Sequence, residues 1–332
     1  MPAELPPLPA DPVVSVVVPA RAAADTLPAT VGSILAQHPP PDEIVIAVGP
    51  ADLTDPTESV ADRLHDADPQ RIRVVANPSG RTPDALNRGI AATTGQVIAR
   101  VDAHSVLPPG YLAAAVATLR RSGAANVGAV QRPVAEHGFG RAVALAMRSP
   151  VGTGGAAYRS GQQAGPVDTA YLGVFRREAL EAVGGYDPSF DRNQDAELNL
   201  RLRAAGYEVW LDPQLVVEYR PRARVGALAR QYGQYGRWRR RTVRTHPGSL
   251  RIRQLVPPVA VVALGAGAVW SLLRRDARPA GVLSGGYAGV VVGAAAAAAE
   301  RPREVPATAL ALATMHLSWG LGFLAGPPRR PR

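Results

Sequence analysis

Four short runs rich in apolar residues, separated by polar stretches with a helical pattern, occupy about the first hundred residues of the chain. The runs cover residues 13–18, 43–48, 71–76 and 97–101. Such runs are typical of strands that are buried on both faces, as in a parallel sheet. Pro28, Pro56 and Pro83 stand where the first turn of a helix accepts proline, so each polar stretch is predicted to form a helix. The alternation predicts an α/β fold with a doubly wound sheet.

The fourth run ends in the sequence R-V-D-A-H-S at residues 100–105. If the run is a strand, Asp102 and His104 project from the same side, because strand side chains repeat every two residues. A carboxylate and an imidazole in this arrangement make half of a divalent-metal site, and open α/β sheets bind ligands at the carboxyl ends of their strands. On these six residues alone, a turn with a solvated acid and a surface histidine is the more frequent arrangement.

The strand and helix pattern continues beyond the fourth run. A helix is predicted over residues 109–121, and further strands over residues 127–131 and 168–174. Residues 138–165 are rich in Gly, Ala, Ser and Arg, which predicts a mobile loop with some helix. The glycine-rich centre of this segment, residues 152–155, fits a lid and a plain flexible loop equally well. Another helix begins near Asn193 and places Asp195 at the positive end of the helix dipole.

Several site classes are excluded by residues that the chain lacks. No G-x-G-x-x-G or G-x-x-x-x-G-K-[ST] sequence follows a predicted strand, which argues against a dinucleotide Rossmann site and against a P-loop. The chain has no cysteine, so disulfides, thiolate metal sites and cysteine nucleophiles are ruled out.

The formal charge of +10 is carried by arginine alone, since the sequence contains no lysine. Much of the excess lies in residues 237–253, which predicts an anionic surface as partner: lipid headgroups, phosphates or nucleic acid. Nucleic acid is the weakest of these, because the cluster adjoins an apolar segment and few aromatic residues are interleaved with the arginines.

Three nearly uncharged segments follow, at residues 255–273, 280–299 and 305–325. Each would form a helix of roughly 28–32 Å, which matches the hydrocarbon thickness of a membrane. Buried Ala/Gly helices of a soluble domain are the alternative, but charges that occur only at the joints favour membrane spans. Arginines flank both sides, so the orientation stays open. Residues 1–12 lack the apolar region of a signal peptide, so the domain after them is expected in the cytoplasm.

The predicted organisation has five parts. They are a disordered tail (1–12), a catalytic domain (13–225), a basic amphipathic interfacial helix (226–253), about three transmembrane helices (254–326) and a short tail (327–332).

Six segments, in order, resemble motifs of the family 2 glycosyltransferases with a GT-A fold. More narrowly, the chain is similar to the membrane-associated ExoA-type enzymes of exopolysaccharide assembly. The segments are the first strand and its loop (14–21), N-P-x-x-x-x-P-x-A-L-N-x-G (within 77–90), R-V-D-A-H at the D-x-D position (100–104), N-Q-D-A-E-L at the acidic base motif (193–198), Q-x-x-R-W (234–238) and the last apolar segment (316–323).

The resemblance implies an inverting, metal-dependent transfer from a nucleotide sugar, with UDP as the expected nucleotide, to a lipid-linked polyprenyl-pyrophosphate saccharide. Asp195 would be the general base. Asp187 competes for that role, but a turn-forming role explains it better. Asp102 would contact the ribose or the metal, and His104 would ligate Mn²⁺ or Mg²⁺.

The resemblance also implies a set of binding residues. Those for the nucleotide are Pro19, Arg21 and Asn87, and those with charge for the phosphates are Arg81 and Arg100. Those that would close over the diphosphate and the acceptor sugar, or else lie at the membrane interface, are Gln234, Arg237 and Trp238.

Two departures from the family pattern bear on the nucleotide. The acidic pair expected after the second strand is missing. The contact to uracil or ribose therefore comes from Asp52, from the backbone, or not at all. Gln194 stands where a glutamate usually precedes the base.

Two other readings remain open at this point. One is a processive polysaccharide synthase, for which three weak spans are few. The other is a non-catalytic membrane protein that binds nucleotide sugars or anionic lipids, supported by the missing acidic pair and by Gln194. The expected location is the cytoplasmic membrane, with several spans and the catalytic domain facing the cytoplasm.

Overall fold

The computed structural model describes residues 5–50, 55–161 and 163–327. Contacts divide the chain into two compact units. The first comprises residues 1–132 and 161–218, and the second comprises residues 133–160 and 219–332. In this division residues 133–160, which lie within the predicted catalytic domain (13–225), group with the C-terminal helices.

A sheet forms the centre of the first unit. Its strands are β1 (Val14–Ala20), β2 (Glu43–Val48), β3 (Ile72–Ala76), β4 (Val97–Arg100), β5 (Asn126–Pro133), β6 (Gly165–Pro166), β7 (Tyr171–Arg176) and β8 (Val209–Tyr219). They lie in the order β3-β2-β1-β4-β7-β5-β8-β6. Strands β3, β2, β1 and β4 are parallel, whereas β7 runs antiparallel to both β4 and β5. The predicted α/β sheet is confirmed, with an antiparallel half added to it.

The helices alternate with the strands in the first part of the chain and dominate its end. They are α1 (Leu27–Leu35), α2 (Thr57–Ala67), α3 (Thr82–Ala91), α4 (Tyr111–Ser122), α5 (Gly138–Arg148), α6 (Pro150–Thr153), α7 (Ala157–Ser160), α8 (Arg177–Ala182), α9 (Gln194–Ala204), α10 (Val225–Thr245), α11 (Val256–Arg274), α12 (Arg278–Ala298) and α13 (Val305–Ala325).

The sheet of the first unit is buried on both faces. Along β1, Val16 and Val18 belong to one apolar core, and Val17 belongs to the core on the opposite face. The first core includes residues of α1 and α4, and the second includes residues of α3, α8 and α9. Gly89 lets α3 approach β1 closely, since a Cβ at this position would overlap the side chain of Val17. The burial on both faces that the apolar runs predict is therefore present.

The structure differs from the sequence-based expectations in three places. Residues 138–165, predicted as a mobile loop with some helix, contain three helices, α5, α6 and α7, and α5 buries most of its residues. The long strand β8 was not predicted. In the described part of the expected disordered tail, Leu5 and Leu8 pack against the two cores, and Arg176 donates a hydrogen bond to the carbonyl of Pro6.

In the second unit, α10 crosses α13 at a contact made by glycines. A Cβ at Gly236 would overlap the carbonyl oxygen of Trp319, and one at Gly322 would overlap the carbonyl oxygen of Gly233. Small residues at such crossings let two helix backbones approach closely, as they do between helices in membranes. The helix that carries the Q-x-x-R-W sequence is thus packed on the last apolar helix.

Three helices of the second unit are long and apolar enough to cross a membrane: Val256–Arg274, Arg278–Ala298 and Pro302–Ala325. Their bounds agree with the three predicted segments to within two or three residues. They expose large apolar side chains, such as Leu272, which is 78% exposed. A soluble domain rarely presents contiguous apolar surface of this kind, so the exposure fits helices surrounded by lipid.

Candidate active site

The loops that follow the parallel strands meet at the carboxyl edge of the sheet. Arg21, after β1, donates a hydrogen bond from Nη1 to the carbonyl oxygen of Gly80, after β3, at 3.2 Å. Gly49, after β2, packs against the same glycine, because a Cβ there would lie 3.2 Å from the Cα of Gly80. Pro19 lies near the end of β1, paired with Ala47 of β2. Arg21 and Pro19 therefore lie at the edge where a nucleotide was expected.

Asp55 fixes the loop after β1. Its Oδ2 accepts the backbone N–H of Ala22 at 2.8 Å, and its Oδ1 accepts the hydroxyl of Thr57 at 2.6 Å. The hydrogen bonds from Thr57 and Ala22 lower the pKa of Asp55 below its usual value. Asp52, the other acid of this segment and a predicted nucleotide contact, lies outside the described residues.

Asp102 and His104 lie in a turn rather than on a strand, because β4 ends at Arg100. The backbone N–H of Ser105 donates to the carbonyl of Asp102 at 2.8 Å and closes the turn. Side chains nevertheless continue to alternate between buried and exposed: Val101 and Ala103 are buried, Asp102 is partly exposed and His104 is exposed. The two candidate ligands project outward from the edge of the sheet.

Arg100 links the turn after β4 to the candidate base. Its Nε donates to Oδ1 of Asp102 at 2.9 Å, and its Nη1 donates to Oδ1 of Asp195. The arginine side chain is only 7% exposed, while the carboxylates of Asp102 and Asp195 are 18% and 34% exposed. The guanidinium carbon also lies 6.0 Å from the ring centre of Tyr186. Arg100, predicted as a phosphate contact, is therefore engaged by two carboxylates.

Asp195 lies in the first turn of α9, after Asn193, which adopts a left-handed backbone conformation with φ of 60°. Burial among protein atoms raises the pKa of its carboxyl group above the usual value. Arg100 opposes this rise in pKa, and the nearby negative charge of Asp102 reinforces it. A raised pKa brings a carboxylate nearer to the range in which it accepts a proton effectively.

The competing acid, Asp187, has a local structural role. Its Oδ1 accepts the backbone N–H of Ser189 at 2.7 Å. This contact is that of a turn residue, in line with the role that its sequence position favoured.

Asn87 holds the backbone of the segment beside Arg100. It donates from Nδ2 to the carbonyl of Tyr186 at 2.7 Å and accepts the N–H of the same residue at 2.8 Å. Tyr186 is thereby fixed under the guanidinium. Tyr186 belongs to no motif that the sequence resembles; its place in the G-G-Y-D turn just before the base motif is the signal that could have indicated it.

The remaining predicted residues are Arg81, in the first unit, and those of the Q-x-x-R-W sequence, in the second. Arg81 donates from Nε to Asp191 at 2.6 Å, with both side chains more than a third exposed. Gln234 and Arg237 are exposed on α10 of the second unit. Trp238 is buried within that unit, and the guanidinium carbon of Arg241 lies 5.6 Å from its ring. The indole is therefore packed by protein rather than presented for stacking on a sugar.

The donor set at the turn fits a divalent cation that is shared with a substrate. Both side-chain contacts that the structure gives Asp102 use Oδ1, so Oδ2 can serve as a ligand, and the side chain of His104, two residues later, is exposed. Across the described ranges, no group of three or more His, Asp or Glu side chains could hold a metal by itself. Mg²⁺ and similar ions take one or two protein ligands and complete their shell with substrate phosphates and water.

Comparison with known proteins identifies the family. Residues 15–184 match the model of glycosyl transferase family 2. The chain belongs to this family. The succinoglycan biosynthesis protein ExoA of Rhizobium meliloti (strain 1021) is 35% identical over 283 residues, which cover 84% of each chain. The protein is thus a glycosyltransferase, which overturns the reading of a non-catalytic binding protein.

Solved structures show the same fold at low sequence identity. The mannosyltransferase PcManGT from Pyrobaculum calidifontis, in complex with GDP-Man and Mn²⁺, has a TM-score of 0.64 at 20% identity; the match covers 98% of this chain and 90% of that one. GalNAc-T7 with UDP, GalNAc and Mn²⁺ has a TM-score of 0.50 at 15% identity, covering 73% of this chain and 52% of that one. The fold of this glycosyltransferase is the predicted GT-A fold.

Proposed function

We propose that this glycosyltransferase is an inverting, metal-dependent enzyme that transfers a sugar from a UDP-sugar to a lipid-linked saccharide in exopolysaccharide assembly. The observation that carries the proposal is the arrangement at the end of β4, where Arg100 joins Asp102 to Asp195. One buried side chain, Arg100, thus binds both Asp102, which would contact the metal or the ribose of the donor, and Asp195, the candidate base.

Asp195 acts as the general base in the proposed reaction. It takes the proton of the acceptor hydroxyl while the hydroxyl oxygen forms a bond to the anomeric carbon of the donor. The bond from that carbon to the diphosphate oxygen breaks, and the diphosphate leaves with the electron pair. A single displacement of this kind inverts the configuration at the anomeric carbon. The raised pKa of Asp195 supports the role.

Asp102 and His104 would hold a divalent cation, Mn²⁺ or Mg²⁺. Such a cation, when bound, neutralises the charge of the leaving diphosphate. The imidazole favours Mn²⁺, and both PcManGT and GalNAc-T7 were solved with Mn²⁺. The protein's own contribution at this position is to orient Asp102 through Arg100 and to fix the turn, in which Thr26 donates its hydroxyl to the carbonyl of Ala103 at 2.7 Å.

The second unit supports a membrane-borne acceptor. Its residue ranges contain 22 arginines and four carboxylates, a formal charge of +18, together with three helices that could cross a membrane. A polyprenyl-pyrophosphate saccharide combines an apolar chain with negative charge and suits such a unit. The proposed location is the cytoplasmic membrane, with several spans and the catalytic domain (13–225) on the cytoplasmic side.

The base assignment is tested by Asp195→Asn, with Asp187→Asn as the matched control. General bases contribute about 10²- to 10⁴-fold to rate, so Asp195→Asn should lower the kcat of sugar transfer by about that factor, while Asp187→Asn should stay within a few-fold of the parent. Transfer by Asp195→Asn at the parental rate would refute the assignment. The anomeric configuration of the product, read by NMR, tests inversion separately.

The donor and the acceptor are tested on membranes that contain the full chain. UDP- and GDP-sugars are supplied with Mn²⁺, with and without polyprenyl-pyrophosphate-linked saccharides. We expect transfer only when the lipid-linked saccharide is present, with one sugar added to each acceptor. A ladder of products from a single acceptor would instead favour a processive synthase.

A further inference from the structure

The second unit carries far more positive charge than its own acids can neutralise. Two of its four carboxylates, Glu300 and Glu304, bind Arg141, each at 2.7 Å. Of the other two, Glu136 lies 3.4 Å from His137, and Asp276 accepts the backbone N–H of Arg278. In the part of the unit that the structure describes, no ion pair joins a carboxylate to Arg159.

Arg159 instead lies among tyrosines. Its Nε donates to the hydroxyl of Tyr158 at 3.3 Å, and its guanidinium carbon lies 5.3 Å from the ring of the same residue. Tyr232 and Tyr235 of α10 interact electrostatically with it, and their own rings meet edge to face at 5.5 Å. One terminal nitrogen, Nη1, is enclosed and has no hydrogen-bond partner among the described residues.

The cluster offers hydrogen-bond donors and a positive charge without a matching anion. Burial raises the pKa of Tyr232 above its usual value, which keeps its hydroxyl protonated. Tyr219, which lies near enough to Tyr232 to help raise its pKa, accepts a hydrogen bond from Nε2 of Gln231 at 3.0 Å and so retains its own proton for donation. A guanidinium held at a partly buried site without a carboxylate is costly unless an anionic ligand completes it. Phosphate oxygens suit a guanidinium fork beside hydroxyl donors.

The segment before Arg159 is fixed to the apolar part of the same unit. His316, within α13, lies with Nε2 at 2.6 Å from the carbonyl oxygen of Val151. Arg253 donates from Nη1 to the carbonyl oxygens of Gly154 and Gly155 at 3.2 and 2.9 Å. The glycine-rich segment, whose sequence fits a lid and a plain flexible loop equally well, is therefore anchored, and Arg159 follows it within a unit suited to lipid.

We propose that Arg159, with Tyr158 and Tyr232, binds a phosphate of the lipid-linked acceptor. The inference rests on the proposed function and assigns one of its substrates to named residues. Two lipids could present a phosphate group to this site: a polyprenyl-linked saccharide, through its pyrophosphate, and a phospholipid, through its headgroup. We assign the site to the pyrophosphate of the polyprenyl-linked saccharide.

The experiment measures binding of farnesyl diphosphate to the full chain in phosphatidylcholine nanodiscs, with farnesol as the uncharged probe. Arg159→Gln should weaken binding of farnesyl diphosphate by about tenfold to a hundredfold, the range for one charge-assisted hydrogen-bonded contact, and leave farnesol unaffected. Arg230→Gln is the matched control, since Arg230 is exposed on α10. Arg159→Lys should give an intermediate affinity, because lysine retains the charge but lacks the fork.

Unchanged binding of farnesyl diphosphate by Arg159→Gln, in a protein with the parental unfolding temperature, would overturn the proposal. If Arg159→Gln fails to fold, Arg159→Lys and Tyr232→Phe carry the test, and parental affinity in both would overturn it. Nanodiscs with phosphatidylglycerol separate the two sources: a loss seen only for association with phosphatidylglycerol would assign the site to headgroups and refute the acceptor. A parent that binds farnesyl diphosphate through Arg159 but transfers no sugar would refute the proposed function alone.

Discussion

Replacement of Arg100 by methionine tests the central contact of the candidate site. Methionine has a similar length and no charge, so the substitution leaves the carboxylates of Asp102 and Asp195 without their shared partner. Arg100 is 7% exposed, whereas the two carboxylates are 18% and 34% exposed. Both acids can therefore recover some hydration after the change, and their mutual repulsion is partly screened.

Removing one partner of a buried ion pair costs about 3–5 kcal/mol. The partial exposure of both acids places this case near the lower limit, at about 3 kcal/mol. For a unit of this size, 1 kcal/mol shifts the unfolding temperature by about 2–4 °C, so Arg100→Met should lower it by about 6–12 °C. The substitution also removes the charge that lowers the pKa of Asp195, so that pKa should rise further.

The assay pairs thermal unfolding with the pH profile of kcat/KM for sugar transfer. A base must be unprotonated to act, so the acid limb of the Arg100→Met profile should move to higher pH. Arg88→Met is the matched control, because Arg88 is exposed on α3. An unfolding temperature and an acid limb that are both unchanged in Arg100→Met would refute the assignment of Arg100 as the link between the two carboxylates.

Three further predictions concern other parts of the molecule. Gly236→Ala should destabilise the α10–α13 crossing by about 1–3 kcal/mol in thermal unfolding, because its Cβ would overlap the backbone of α13, while Gly226→Ala on the same helix, with open space around it, should change little. For Glu43, burial is outweighed by hydrogen bonds from Ser15, Thr94 and Gly95 that hold its pKa below the usual value. Its carboxylate therefore adds stability above pH of about 4.3, which is lost as pH falls through the folded-state pKa. Denaturation at pH 7 and pH 3.5 should show a deficit for Glu43→Gln that shrinks at the lower pH. Chelation by EDTA should abolish sugar transfer and added Mn²⁺ restore it; full activity in EDTA would contradict the proposed metal dependence.

The parallel half of the sheet was predictable because its signals are local. Each run is bounded by polar residues, and the helices after the first and third runs, α1 and α3, have proline in their first turn. The observed strands begin and end within two residues of the predicted bounds. β8 was missed because Asp212-Pro213 interrupts it, a pair that usually indicates a turn. The structure buries Asp212, whose Oδ2 accepts the hydroxyl of Thr118 at 2.5 Å. That contact joins residues far apart in sequence and has no local signature.

The same distinction separates the predictable and unpredictable parts of the site. The sequence pattern indicated Asp102, His104 and Asp195 because the family motifs are contiguous. The partners of arginine were not predictable, since Arg100 reaches an acid 95 residues away and Arg81 reaches one 110 residues away. Trp238 was predicted as a sugar contact from its motif, and its burial within the second unit depends on helix packing that no single segment encodes.

The two units carry net charges of opposite sign. The ranges of the first unit hold 15 arginines and 23 carboxylates, a formal charge of −8, against +18 for the second. A nucleotide diphosphate is an anion, so the long-range field of an acidic unit opposes its approach. Donor binding must therefore come from cations placed at the carboxyl edge of the sheet. Arg100 is already engaged by two acids there. A divalent ion at Asp102 and His104 would add positive charge to that of Arg21 at this edge, which is a physical reason to expect the proposed metal dependence.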